Sequence, residues 1–220
     1  MENISNKFNR TYSPNEELTF LSFTDLDREQ SEMVWAWRNH PEIRRWMYNS
    51  QPIHLRDHLD YVRQLDRQSQ KFYWLVYDEG QAIGVIDIVY KEEVPEWGFY
   101  LNPELLNSGM GINLMYYALE FFFVTLKLKK LCGYVKMKNI NALLLHDLFE
   151  IEEEGLWEFH KPGGSEWFHK RIVYARDWFR QQLDIPMIKH RLLDRARPMK
   201  LDRIQELNDR LWIINSLNPQ

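Results

Sequence analysis

The spacing of hydrophobic and polar residues changes along the chain, and each change predicts a different element. Over 25–39 and 54–66, apolar residues recur at the spacing of a helix with one buried face. Over 72–78 and 81–90, aromatic and β-branched residues flank Glu79-Gly80, which predicts a hairpin. The full prediction is strand 18–24, helices 25–39 and 54–66, strands 72–78, 81–90 and 97–101, helix 111–127, strand 131–137, helix 139–149, and strands 154–159 and 167–175.

This order of elements indicates the fold class. Strands and helices in mixed order are typical of an α/β or α+β domain, with a mostly antiparallel central sheet, flanking helices and one β-α-β crossover. We expect a flexible leader over 1–16, one domain over 17–178 and a helical C-terminal extension over 179–220. The apolar residues of the extension predict that it packs on the domain or forms a homodimer.

The composition narrows the classes of function. One cysteine excludes a disulfide framework and a Cys-rich zinc site, and no metal is expected. Lys+Arg 28 against Asp+Glu 32 gives a net charge of -4, which argues against a dedicated nucleic-acid binder. The polar start lacks the apolar region of a signal peptide, and the densest apolar run, 115–126, is shorter than the about 20 residues of a membrane span. We therefore expect a cytoplasmic protein without membrane contact.

A glycine-containing loop joins a predicted strand to a predicted helix. It reads Ser108-Gly109-Met110-Gly111, and glycines at such a place let backbone N–H groups approach an anion, with pyrophosphate as the natural ligand. It is not a Walker A loop, because no Lys-Ser or Lys-Thr follows, and Leu114 occupies the third glycine position of a GxGxxG fingerprint. The spacing alone is equally compatible with a turn that needs glycine for steric reasons.

The loop and its surroundings resemble the Gcn5-related N-acetyltransferase superfamily. That family carries the pattern Arg/Gln-x-x-Gly-x-Gly/Ala after its fourth strand, and residues 106–111 match both glycine positions, with Leu106 in place of Arg or Gln. The resemblance, which covers about 17–178, implies that the loop amides bind the pyrophosphate of acetyl-CoA and that the preceding strand binds its pantetheine arm. The implied acetyl-CoA residues are Tyr100, Leu101, Leu106, Asn107, Ser108, Gly109, Met110, Gly111, Ile112, Asn139, Ala142 and His146.

A second motif of the same family follows the next predicted strand. Residues 139–146 read Asn-Ile-Asn-Ala-Leu-Leu-Leu-His and are similar to the family's Asn-x-x-Ala-x-x-Leu-Tyr segment. His146 stands where the family's Tyr serves as general acid toward the departing thiolate, and a protonated imidazole can also donate a proton. The resemblance implies direct attack in a ternary complex, for which Glu96 is the candidate base. Asp87 faces either the acceptor pocket or solvent, and the sequence does not choose between them.

Residues 35–48 are the candidate acceptor site, because the family's first helix and the following loop shape that pocket. Arginines beside Trp, Met and Tyr suit a nucleotide-linked ligand, although the rings can equally be core and the arginines solvated. Over 35–66 the chain resembles bacterial enzymes that N-acetylate UDP-4-amino-4,6-dideoxy-N-acetyl-altrosamine on the way to pseudaminic acid, a sugar that decorates flagellin. The candidate substrate-binding residues are Arg38, Asn39, His40, Arg44, Trp46, Met47 and Tyr48.

Two other functions stay open at this point. An acetyltransferase of the ribosomal-protein type, acting on a protein N-terminus, would have an acidic peptide groove and little need for Arg38 and Arg44. A catalytically silent CoA-binding module would explain Leu106 and His146 as losses of function. Release of the CoA thiol on different amines distinguishes the three hypotheses.

Overall fold

The computed structural model describes residues 8–67, 70–91, 93–161 and 164–183, which form a seven-stranded sheet with flanking helices. The strands are β1 (Leu18–Ser22), β2 (Lys71–Asp78), β3 (Gln81–Val89), β4 (Glu96–Leu101), β5 (Lys130–Lys136), β6 (Glu152–Lys161) and β7 (Gly164–Tyr174). The helices are α1 (Arg28–Asn39), α2 (Pro41–Arg44), α3 (Leu55–Gln64), α4 (Met110–Glu120), α5 (Ile140–Leu148) and α6 (Ala175–Leu183). Short 3-10 turns cover Phe23–Asp25, Leu65–Arg67 and Pro103–Leu105, and a π-helical stretch, Phe121–Thr125, continues α4.

The sheet has one parallel strand pair, and it opens at that pair. The order is β1-β2-β3-β4-β5-β7-β6, and every neighbouring pair is antiparallel except β4 and β5. α4 connects these two strands, so the predicted crossover in a mostly antiparallel sheet is confirmed. Their register contains the single pair Glu96↔Cys132, where the Cys132 N–H donates to the Pro95 carbonyl over 3.0 Å. Past this pair the strands diverge, and we call the gap the β4–β5 cleft.

Local sequence explains where the first helices begin and end. α1 starts with a capping box, in which the Asp27 carboxylate accepts from the Gln30 N–H over 2.8 Å and the Gln30 amide accepts from the Asp27 N–H over 3.0 Å. Pro41 ends α1, as predicted, but it also begins α2, because proline at the first helical position loses no hydrogen bond. The helix predicted over 111–127 is α-helical only to Glu120.

Hydrophobic cores cover both faces of the sheet. Under α4 the core is rich in aromatic side chains, and the rings of Phe20 and Phe121 stack with centroids 4.1 Å apart. The opposite face, which we call the α1/α3 face, carries a smaller core of Phe23, Val34, Trp37, Val62, Leu65, Leu75 and Val85. Much of the aromatic content is therefore core. The α1/α3 face also carries Tyr73 and Tyr100, which are only partly buried.

The two ends of the chain relate differently to the domain. We expected a flexible leader over 1–16, but its described part packs on the sheet: Phe8 is buried, with its ring centroid 4.9 Å from that of Phe72. Tyr12 exchanges backbone hydrogen bonds with Phe20. Burial of these aromatic rings favours packing of the segment on the sheet, although most of its residues are polar. Most of the predicted helical extension, from 184 onward, lies outside the described residues.

The described residues contain neither a membrane-spanning helix nor a group of metal ligands. None of the helices in this part of the chain has the length and apolar character needed to cross a bilayer. Within the same ranges, no group of three or more His, Cys, Asp or Glu side chains could hold a metal ion.

Gly84 of β3 provides a test of the packing between the sheet and α4. A Cβ at this position would lie 2.5 Å from Leu114 Cδ2 and 2.5 Å from the Tyr100 carbonyl oxygen, and backbone cannot move aside as a side chain can. Gly84→Ala is therefore expected to lower the free energy of unfolding by about 2–3 kcal/mol, measured by urea denaturation. Gly111→Ala is the control, because its Cβ would make only ordinary contacts. Equal stability of the two variants would contradict this packing.

Candidate active site

β4 places alternating side chains on either side of the β4–β5 cleft. Tyr100 packs with the core of the α1/α3 face, whereas Trp97 and Leu101 pack with the core under α4. Because side chains along a strand alternate, Glu96 and Gly98 share the α1/α3 face with Tyr100. The cleft therefore has a polar side toward α1 and α3 and an apolar side toward α4.

The loop before α4 has the backbone geometry of an anion cradle. Asn107 and Gly109 have positive φ values of 62° and 88°, and Gly109 is the N-cap of α4. The Ser108 hydroxyl donates to the Leu105 carbonyl over 2.7 Å and accepts from the Met110 N–H over 3.2 Å, which fixes the loop. Successive residues in such conformations turn backbone N–H groups toward one point, at the positive end of the helix dipole.

Gly111 leaves the first turn of α4 open. A Cβ here would lie 3.6 Å from Leu101 Cδ1 and 3.8 Å from Leu145 Cδ2, so the packing of the protein itself does not require glycine. Its φ is not positive either, in contrast to that of Gly109. A group that must approach the α4 backbone closely gives a reason for the missing side chain. The loop and this turn together fit a pyrophosphate.

Two of the other predicted acetyl-CoA residues, Asn139 and Ile112, have structural roles for their side chains. The Asn139 carboxamide oxygen caps α5 by accepting from the Ala142 N–H over 3.4 Å. Ile112 is buried in the core, and Leu106 follows the 3-10 turn that leaves β4. For Asn139 and Ile112 the backbone, rather than the side chain, is therefore available to a ligand.

His146 is buried against β4. Its ring stacks on Trp97 with centroids 5.7 Å apart, and its Nδ1 is buried without a hydrogen-bond partner. Burial, followed by the positive charge of Arg171, lowers the pKa of His146 to about 3. This environment disfavours a protonated imidazole, because the site excludes water and lies near a cation, so the role of His146 as general acid stays a prediction.

Glu96 lies at the start of β4 and is engaged by two donors. The Tyr48 hydroxyl donates to Oε1 over 2.7 Å, and Lys91 Nζ contacts Oε2 over 2.6 Å. Its side chain is 14% exposed, so most of this carboxylate is shielded from solvent although it stands at the start of a strand. Burial and then the charge of Glu96 raise the pKa of the Tyr48 hydroxyl, which keeps it protonated as a donor.

Several residues of the predicted acceptor segment hold their own loop together. The Asn39 carboxamide makes two bonds to the Ile53 backbone, of 2.8 and 3.0 Å, and Arg44 Nη1 donates to the Ser50 carbonyl over 2.8 Å. The His40 Nδ1 accepts from the Glu42 N–H at the start of α2. These contacts shape the rim of the site.

The aromatic part of that segment lies closer to the sheet. The Tyr48 ring packs between Phe159 and Phe168, at centroid distances of 5.5 and 5.2 Å. Trp46 is half-buried under the Arg45 guanidinium, 4.7 Å from its ring centroid, and Met47 is half-buried beside it in the chain. Among Trp46, Met47 and Tyr48, it is therefore Tyr48 that contacts Glu96, through the hydrogen bond from its hydroxyl.

Arg38 on α1 and Asp87 on β3 both belong to the α1/α3 face and influence each other electrostatically. Arg38 Nη2 donates to the Asn49 carbonyl over 3.0 Å, whereas Nη1 is buried without a hydrogen-bond partner. Asp87 on β3 pairs with Tyr73 on β2 and with Gly98 on β4, so its side chain lies on the face of Glu96 rather than in solvent. Tyr73 in turn accepts a hydrogen bond of 2.8 Å from the Tyr61 hydroxyl.

The sequence analysis did not find Lys91, Tyr61 or Tyr73. Lys91 follows β3 in a turn, and nothing in its neighbours marks it as a partner of Glu96. Asp87 did carry a signal, because a carboxylate within an apolar strand is unusual. Which face it occupied depended on the register of β3 against β2 and β4.

Comparisons with known proteins agree with this geometry. A family model described as "Acetyltransferase (GNAT) domain" matches residues 18–146. Acetyltransferase PseH of Campylobacter jejuni subsp. jejuni serotype O:23/36 (strain 81-176) is 36% identical over 142 residues, which are 63% of this chain and 88% of that protein. Acetyltransferase PseH of serotype O:2 (strain ATCC 700819 / NCTC 11168) is also 36% identical, over 57% of this chain and 78% of its own length.

Solved structures give the same result. The crystal structure of Campylobacter jejuni N-acetyltransferase PseH in complex with acetyl coenzyme A matches with a TM-score of 0.54 and 26% identity, covering 71% of this chain and 98% of that chain. Spermidine N-acetyltransferase from Vibrio cholerae, in complex with CoA and spermine, matches with a TM-score of 0.64 and 19% identity, covering 74% of this chain and 99% of that one. The second likeness concerns the fold alone.

Proposed function

Because the chain belongs to the GNAT acetyltransferase family, we propose that it moves the acetyl group of acetyl-CoA to the amine of a nucleotide-linked amino sugar. The acceptor class is a UDP-4-amino-4,6-dideoxy sugar, and the pathway is the biosynthesis of pseudaminic acid for flagellin and related surface glycans. The observation that carries the proposal is the identity of 36% to acetyltransferase PseH over 88% of that protein.

The residues around the β4–β5 cleft fit acetyl-CoA. The amides of Gly109 and Gly111 and the open first turn of α4 would hold the pyrophosphate, and the free edge of β4 near Tyr100 and Leu101 would hold the pantetheine arm. When bound, acetyl-CoA supplies an activated acetyl thioester. A backbone N–H of β4 near Leu101 would donate to the thioester carbonyl and stabilise negative charge there.

The acceptor would bind on the α1/α3 face, beside Glu96, Arg38 and Tyr48. The buried Arg38 Nη1 is a free donor for a phosphate or carbonyl oxygen. A carboxylate of this face would take the proton that the amine must lose, and Glu96 is the candidate from the sequence. The acceptor amine would then attack the thioester directly, because Cys132, the chain's single cysteine, is buried.

Two further properties are proposed with the function. The enzyme works in the cytoplasm, where acetyl-CoA and nucleotide sugars are available. It also forms a homodimer, because Leu156 on the edge strand β6 and Trp167 on β7 share one face of the sheet and are 53% and 45% exposed, a surface that a second copy would cover. Sedimentation of the full chain over a range of concentrations tests the dimer.

Turnover on a panel of amines tests the proposed function. The protein is mixed with acetyl-CoA, a thiol-detecting reagent, and either a UDP-4-amino-4,6-dideoxy sugar, peptides with free N-termini or polyamines. Thiol release with the nucleotide sugar, at a kcat/KM at least about 100-fold above the other amines, is expected. Release only with peptides would favour the ribosomal-protein type, and acetyl-CoA binding without release on any amine would favour a silent module.

His146 is expected to contribute little to the rate. A coenzyme thiol with a pKa near the usual value of about 8.5 is a good leaving group, so it does not need a strong acid, and a neutral imidazole is not one. His146→Gln should therefore lower kcat by less than about 10-fold and leave the alkaline side of the pH–rate profile unchanged. A loss of an alkaline limb, with acetyl-CoA affinity intact, would restore His146 as the general acid.

A further inference from the structure

Two carboxylates, Asp87 and Glu96, lie on the same face of the sheet beside the β4–β5 cleft. Asp87 pairs with Gly98 and Glu96 pairs with Val89, so the two acids are diagonal neighbours on adjacent strands. Such neighbours have Cα atoms about 7–8 Å apart. One acceptor amine could therefore lie within reach of both, and the question is which of them is able to take its proton.

The two oxygens of Glu96 are both occupied. Tyr48 donates to one over 2.7 Å and Lys91 contacts the other over 2.6 Å, so a proton arriving at Glu96 would have to displace a hydroxyl or break an ion pair. Both oxygens are therefore committed to contacts with the rim of the site, whereas a base needs an oxygen that is open to the amine. Glu96 therefore has the environment of a structural or orienting carboxylate.

Asp87 has the opposite environment. Its carboxylate makes no hydrogen bond or ion pair to any of the residues that the structure describes. It lies over β4 where that strand has glycine: a Cβ on Gly98 would be 3.0 Å from Asp87 Oδ2. A side chain at Gly98 would crowd the carboxylate, so this glycine leaves it room on the strand that borders the β4–β5 cleft.

The charged and titratable groups around Asp87 come from every element that packs there. They are Glu96 and Tyr100 on β4, Lys91 after β3, Tyr73 on β2, Tyr61 on α3 and Arg38 on α1. Burial, and then the charge of Glu96, raise the pKa of Asp87 to about 7, while Lys91 and Arg38 oppose the shift. A base whose pKa lies near the working pH is ionised often enough to act and basic enough to hold a proton.

We propose that Asp87, rather than Glu96, accepts the proton from the ammonium group of the acceptor. The Asp87 carboxylate takes one proton from the acceptor's –NH₃⁺, and the nitrogen lone pair forms the N–C bond to the thioester carbonyl. The C–S bond then breaks, and the nitrogen's second proton leaves with the thiolate as the free thiol. Glu96 holds Tyr48 and Lys91 at the rim and is a positioning residue. This proposal rests on the proposed acetyl transfer.

Matched amide variants separate the two carboxylates. For Asp87→Asn we expect kcat/KM on the UDP-4-amino-4,6-dideoxy sugar to fall at least about 100-fold, with acetyl-CoA affinity unchanged. The wild type should lose activity below about pH 7 as Asp87 is protonated, and this acid limb of the pH–rate profile should be absent from Asp87→Asn. Glu96→Gln should lose less than about 10-fold and keep that acid limb. The reverse pattern, with the acid limb lost in Glu96→Gln and kept in Asp87→Asn, would overturn the proposal.

Two measurements keep the test decisive. If Asp87→Asn fails to bind acetyl-CoA, Asp87→Glu takes its place: a retained acid limb with reduced kcat supports the proposal, and a profile without that limb overturns it. Wild-type turnover separates this proposal from the proposed function. If the wild type acetylates only another amine of the panel, the sugar assignment fails, and the same variants are compared on that amine.

Discussion

Replacing Gly111 with aspartate is expected to abolish acetyl-CoA binding while leaving the fold intact. The new carboxylate would lie in the first turn of α4, where the pyrophosphate is proposed to bind. It would fill that space and its negative charge would repel the pyrophosphate. Loss of one or two hydrogen bonds to a charged group, at about 1.5–3 kcal/mol each, corresponds to a loss of affinity of at least about 100-fold. Calorimetric titration with CoA measures this effect.

The same substitution should not lower stability. A Cβ at Gly111 meets only Leu101 and Leu145 at ordinary contact distances, and an acidic side chain near a helix N-terminus is favourable by about 0.3–1 kcal/mol. Gly109 is less suitable for this test, because its φ of 88° strains any other residue. Gly111→Asn, which adds nearly the same volume without the charge, is the matched control and should bind CoA more tightly than Gly111→Asp. Unchanged affinity in Gly111→Asp would place the pyrophosphate elsewhere.

Asp87→Asn is expected to raise the stability of the protein at pH 8, although it removes activity. In the folded protein the pKa of Asp87 is raised from 3.8 to about 7, so above pH 7 the wild type holds a buried charge that the unfolded chain would hydrate. Because the folded-state pKa is the higher one, the contribution of this group to stability is largest below about pH 4 and is lost as pH rises through about 7. The amide has no such charge, and a gain of about 1–3 kcal/mol at pH 8 is expected.

Denaturation of both proteins at several pH values measures this difference. The stability gain of Asp87→Asn should shrink from pH 8 toward pH 4, where both side chains are neutral. Glu96→Gln is the control, and it should show no gain at pH 8, because Glu96 is bonded to Tyr48 and Lys91. If Asp87→Asn were less stable than the wild type at pH 8, the carboxylate would have a structural partner. Its burial would then not be a loss of folding stability that is retained for function.

The fold was largely predictable because its signals are local. The hairpin of β2 and β3, the helix ending before Pro41 and the strand–loop–helix around Gly109 and Gly111 each depend on residues close together in sequence. The differences from the prediction have one local and one non-local cause. Proline was read only as a helix terminator although it also begins helices, and the described part of the leader gains its order from burial of Phe8 in a core formed by distant residues.

The site was predictable only in part. The pattern at 106–111 identified the loop whose backbone forms the cradle, since glycine positions report backbone geometry directly. Asn39 and Arg44 have the right residue types for recognition, yet their polar atoms bond the loop backbone at Ile53 and Ser50. The sequence shows which donors are present, but only the fold shows which are already used.

By itself, the sequence determined the mixed sheet with one crossover and the glycine loop before α4, because these depend on periodicity and on the conformational freedom of glycine. The family and its cofactor came from the resemblance of the motifs at 106–111 and 139–146 to those of known acetyltransferases. The tertiary structure decided the chemistry of the side chains. It placed the Asp87 carboxylate over Gly98 and buried His146 beside Trp97. It also brought Tyr48 and Lys91 into contact with the Glu96 carboxylate. Proton affinity depends on the neighbours that a side chain meets in space, and these come from strands far apart in the chain.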